Sequence, residues 1–185
     1  MIPIASLWLP ILLSAVGVFV ASSIIHMALG YHNKDHDKMS DEADVLASMR
    51  GAGVRPGSYC FPRAESHRDL ALPEMQDRFI EGPVGFMTVI PSGLPTMGKQ
   101  LVSWFIYSVV AGACVAYLLS RTIPAGASYL AVFRVAGTIA FLTFGFAHLS
   151  DSIWKGEPWS NSFKNLIDAL IYGCVIGGVF GWLWP

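Results

Sequence analysis

Four stretches of this chain are too long and too apolar to be ordinary core helices, and they fix what it can fold into. Met1–Gly30 has no Asp, Glu, Lys or Arg, and neither does Leu101–Ser120. Ala125–Ala147 has only Arg134, and Leu166–Pro185 has only Asp168. A helix rises about 1.5 Å per residue, so roughly 20 apolar residues cross a hydrocarbon core about 30 Å thick, and in lipid the helix satisfies its own backbone. The pattern predicts an all-α, polytopic transmembrane four-helix bundle forming one membrane domain over residues 1–185. The spans are expected at about 4–30, 100–121, 126–149 and 164–184, with a connector over 31–99.

Composition agrees. Of the residues, 54% are hydrophobic and 14% charged, against about 25% charged in soluble domains. The connector is mixed in charge, which gives it little to grip nucleic acid or anionic lipid heads. Cys60, Cys114 and Cys174 are scattered with no CxxC pair, which argues against a disulfide framework or a thiolate zinc site. Cys114 and Cys174 are expected as buried packing residues, and Cys60 as an inert thiol among aromatics. The first span lacks a basic leader and outruns a secretory h-region, so it reads as an uncleaved helix.

Lys34, Lys38 and Lys99 flank the connector, and Lys155 and Lys164 lie in the third loop, so both are expected to face the cytoplasm with the termini outside. Trp8, Tyr117, Tyr129, Trp182 and Trp184 would form one interfacial aromatic belt, and Tyr31, Trp104, Trp154 and Trp159 the other. In the connector, Ser40 is placed to cap a helix through Met49, with Val45, Leu46 and Met49 as its apolar side, and a second helix runs from Pro73 to Gly82. Gly82–Gly98, broken by prolines and glycines, reads as packed coil at the interface. Gly173, Gly177 and Gly181 form one row on span four, where helix backbones approach closely. That row serves either packing within the chain or assembly of copies.

The polar constellation above background lies at the cytoplasmic helix ends. It comprises His26, His32, His36, His148, Asp151 and Asp168, with Asp35 and Asp37 nearby. By helix rise, His26, His148 and Asp168 share a depth on three helices, and ionisable groups at such depth face the interior or a wet cavity. Three chemistries fit: a divalent metal such as zinc, iron or manganese, a proton relay, or contacts to the head of a small amphipathic ligand such as a quinone. A plainer account leaves His26 and His148 as interfacial residues, gives Asp168 a hydrogen bond from Lys164, and solvates His32, Asp35, His36 and Asp37 in a loop. Arg134 is too far along the helix to pair with Asp168 and is expected to snorkel outward.

No phosphate-binding loop, Gly-x-Ser-x-Gly elbow or His-Glu-x-x-His pair occurs, and catalysis has no sequence support. The His26…Gly30-Tyr31-His32 segment, Gly57-Ser58-Tyr59…Phe61-Pro62 and the closing Gly181-Trp182-Leu183-Trp184-Pro185 resemble a group of uncharacterised bacterial four-span inner-membrane proteins. The resemblance implies an inner-membrane location and brings no activity or cofactor. The expected role is a non-catalytic scaffold or accessory protein that contacts a membrane partner or another copy of itself. The alternative is metal-ion or proton handling by the His/Asp cluster.

Overall fold

A computed structural model describes residues 2–185. The elements in chain order are α1 (Ile4–Leu29), α2 (Glu42–Gly51), β1 (Gly57–Phe61), α3 (Pro73–Glu81), β2 (Gly85–Val89), α4 (Gly98–Thr122), α5 (Tyr129–Lys155) and α6 (Trp159–Trp182). They fall into two compact units. One comprises Met1–His36 with Thr96–Pro185, and the other is Asp37–Pro95.

In the first unit, α1, α4, α5 and α6 are each long and apolar enough to cross a membrane. Their outward faces are as informative as their lengths. Only 28% to 39% of each apolar window is buried by the rest of the chain, and the exposed faces carry Met27, Val110, Leu130, Phe146 and Leu170. A helix apolar all round belongs in lipid, whereas a water-soluble one shows a polar outer face. The chain thus has the surface of a multi-pass membrane protein.

Helix α1 packs on α4 and α6, and α5 packs on α4 and, most extensively, on α6. Lipid tails are as apolar as leucine, so such contacts depend on close packing more than on the hydrophobic effect. The α5–α6 seam shows how. A Cβ added at Gly173 would lie 2.8 Å from the Gly137 carbonyl oxygen, and one at Gly177 would lie 2.9 Å from that of Phe133. One at Gly181 would strike the Tyr129 ring. The glycine row is therefore taken up by α5 of the same chain. Only three residues separate α5 from α6, and Gly156 (φ +71°) supplies the left-handed turn between them. On the other side, Gly112 brings α4 against Ser14 and Ile11 of α1. Val18, Leu119, Ile176 and Phe180 fill the centre.

Several side chains depart from expectation. Trp104 is half-buried rather than belt-like, and its indole N–H donates to Ser22 Oγ at 2.9 Å. Cys114 and Cys174 are exposed on the helix surfaces, and Cys60 is exposed as well. A thiol on a span can face hydrocarbon at no cost, so burial in protein has no advantage there.

The second unit contains the two expected short helices and a feature absent from the sequence reading. Helix α2 stops before Gly53 (φ +69°), and α3 starts with Pro73 in its first turn and ends at Gly82 (φ +63°). Ser40 does not cap α2: the residue at the cap is Asp41, and the Ser40 hydroxyl turns to its carboxylate instead. Part of the expected coil is strand. β2 pairs antiparallel with β1, with Tyr59 opposite Met87 and Cys60 opposite Phe86. Aromatic and β-branched residues suit such a ladder, and the partners are too far apart in sequence for a hairpin signal to reveal them.

Candidate metal centre at one end of the spans

The end of α1 is built differently from its middle. Over Ile24–Leu29 the helix widens into π-type turns, and Gly30 (φ +64°) then closes it in the left-handed conformation. Such widened turns recur at functional sites because they re-aim side chains. Here they carry His26, and the glycine turn folds Tyr31 and His32 back over it. The His26 and His32 rings lie 4.5 Å apart, and the Tyr31 and His32 rings 4.3 Å apart. His32 and His36 consequently do not share a helical face.

Asp168 of α6 is buried opposite this turn. Its Oδ2 lies 2.9 Å from His32 Nε2 and 3.7 Å from His26 Nε2. Its Oδ1 accepts the Tyr31 hydroxyl. Ligand atoms of His26, His32 and Asp168 all fall within 4.8 Å of one another. Tetrahedral zinc with bonds of 2.0–2.1 Å sets its ligand atoms about 3.3 Å apart. The two separations from Asp168 Oδ2 bracket that value.

The other nitrogen of His32 is equally constrained. Nδ1 lies 2.5 Å from Asp35 Oδ2, and the Lys164 ammonium donates to Asp35 Oδ1. The backbone carbonyl of Asp35 accepts Asn161 Nδ2 at 3.0 Å, which ties this loop to the start of α6. Burial works to raise the Asp35 carboxyl, but the bonds from Lys164 and His32 and their charges outweigh it, so it lies below its ordinary value. The side chains of His32 and Asp35 are only 12% and 13% exposed. They are not solvated loop residues, and Lys164 serves Asp35 rather than Asp168.

The remaining candidates sit around this core. His148 of α5 lines a cleft of about 470 Å³ together with His26, His32, His36 and Asp151. Its carbonyl accepts the Ser162 hydroxyl, pinning α5 to α6 at this level. Asp151 pairs with Lys155 one turn along at 2.7 Å, and His36 is exposed at the cleft edge. Arg134 is exposed on α5 beside Gly137, Thr138 and Gly173, away from the cluster.

Tyr31, Asp35 and Lys164 are the hydrogen-bond neighbours of the cluster that lay outside the candidate set. A tyrosine and an aspartate flanking a histidine just past a helix-ending glycine were the available signal. Compared with known proteins, the chain matches no family model, no curated protein and no solved structure.

Proposed function

We propose that this protein is a multi-pass membrane protein that binds a divalent cation of the zinc class through His26, His32 and Asp168. One observation carries the reading: His32 stands between two carboxylates. A neutral imidazole has one N–H, and a carboxylate only accepts. Asp35 and Asp168 at opposite nitrogens therefore need one more proton than the ring supplies, or a metal ion in its place at Nε2. Two imidazoles and a carboxylate are the donor set of borderline divalent metals. Asp35 on His32 and Tyr31 on Asp168 are the kind of outer hydrogen bonds that fix a ligand's orientation and raise its basicity. Three protein ligands leave a coordination position open, and the cleft beside them has room for an exchangeable ligand.

The pairwise contacts, α1 with α4, α4 with α5, α5 with α6 and α6 with α1, support a four-helix bundle around this site. Lys34, Lys38, Lys155 and Lys164 lie near this end, which favours a cytoplasmic, inner-membrane orientation for it. The scaffold reading loses one of its two supports, because the glycine row is occupied by α5, and keeps the other, the exposed Val45 and Leu46 of α2. Proton handling is the second reading, since the same contact between His32 and Asp168 holds a proton when it holds no metal.

Metal analysis of untagged protein purified in detergent tests the proposal. One equivalent of Zn²⁺, Mn²⁺ or Fe²⁺ per chain is expected, present as purified or after reloading, and lost in His32→Ala. Metal-free protein after reloading with all three ions, or equal loading of the variant, overturns it and leaves the proton reading.

A further inference from the structure

A second cavity, of about 290 Å³, adjoins the cluster and shares His26, His148 and Asn165 with the cleft. Its walls are aromatic. Trp104, Tyr107, Phe144 and Tyr172 pack with ring centroids 5.4 to 6.1 Å apart. Two of their polar tips are already engaged: Trp104 donates to Ser22 Oγ, and the Tyr107 hydroxyl donates to the Thr143 carbonyl at 3.3 Å. Tyr172 differs. It is 4% exposed, and its hydroxyl is the one buried side-chain polar atom without a hydrogen-bond partner among the described residues. Buried hydroxyls are almost always paired, and an orphan calls for a specific explanation.

We infer that this cavity binds the head group of a lipid-soluble quinone, with a quinone carbonyl accepting the Tyr172 hydroxyl. Four observations choose that class. Four aromatic side chains line it, which favours a flat conjugated body. No Lys or Arg lines the cavity, so it offers no cationic side chain of that kind to pair an anionic ligand. The available donor requires an acceptor oxygen on the ligand. Finally, Tyr107, Thr143 and Ala147 are exposed at the cavity edge, within spans α4 and α5, so entry is from the hydrocarbon layer. The volume is near the lower end of small-molecule sites, roughly 300 Å³, enough for a head group whose tail stays in lipid. The inference stands on Tyr172 and the aromatic walls and does not need the metal.

The test is titration of the detergent-purified protein with decyl-ubiquinone, followed by tryptophan fluorescence, with metal content read on the same samples. Saturable quenching is expected in the wild type, about tenfold weaker binding in Tyr172→Phe, and none in Ala147→Phe, which fills the entrance. Tyr172→Phe should not lower the ligand-free melting temperature, because it removes a hydroxyl that has no partner. Absence of saturable quenching in the wild type, or equal affinity in Tyr172→Phe, overturns the inference. Metal without quinone binding removes this inference alone, whereas quinone binding without metal removes only the metal reading.

Discussion

The α5–α6 seam and the α4–α5 seam are made of opposite materials. Between α5 and α6, Gly137, Gly173 and Gly177 bring backbone against backbone, so no room remains for a side chain at those positions. Between α4 and α5, Trp104, Tyr107 and Phe144 hold the helices apart and leave a cavity reaching toward His26, His148 and Asp168. In a membrane the closed seam gains stability from dense contact, and the open one gives up contact for space. The difference teaches that one helix pair acts as a rigid post while its neighbour shapes the wall of the site. Asp168 and Tyr172 project from the post, one helical turn apart on α6, so its rigidity holds the site in register.

The comparison can be broken from either side, and the largest effect is expected at the site itself. His32→Ala should lower Zn²⁺ affinity by more than 100-fold, exceeding the 10–100-fold typical of lost outer partners. Competition with a chromogenic chelator would measure it. The same variant should leave the closed seam intact, so a collapse of helicity would show the two regions to be one unit. Gly177→Leu attacks the post: its side chain meets the Phe133 carbonyl, and overpacking of this kind costs about 1–3 kcal/mol. Unfolding in mixed micelles should report that loss, while any surviving folded protein still binds Zn²⁺ through the untouched His32.

Asp35→Asn sharpens the site side of the contrast. The neutral amide no longer pairs with Lys164 and orients His32 less firmly, so Zn²⁺ affinity should fall 10- to 100-fold. An unchanged affinity would mean that Asp35 is a surface tether and no more. The smallest effect is expected for Ser22→Ala, which removes the acceptor of the Trp104 indole. A loss of about 1 kcal/mol is anticipated, read as a slight drop in melting temperature.

How legible all this was in the sequence varied with the physics of each feature. The two connector helices follow from Pro73, Gly82 and Gly53, whose backbone preferences act locally. The β1–β2 pair was hidden because its pairing joins residues 57–61 to 85–89, and no local rule reaches that far. The glycine row was visible by its four-residue spacing, but which helix it meets was not. Among the site residues, the charge-free stretches made Asp168 conspicuous, and helix rise set it level with His26. Asp35 and Tyr31 looked like ordinary loop and belt residues, since nothing in a linear sequence states that a chain doubles back.

The sequence by itself determined that four helices are long and apolar enough to cross a membrane, since length and apolarity govern transfer into hydrocarbon residue by residue. It also determined that a few ionisable groups would gather at one end, since their cost at the bilayer centre allows few other places. Only the tertiary structure decided which of them meet. The left-handed turn at Gly30 and the rotation of α6 place His32 between Asp35 and Asp168, and leave His36 and Asp151 at the edge. Helix rotation and loop return are set by packing between distant segments, which hydropathy does not encode.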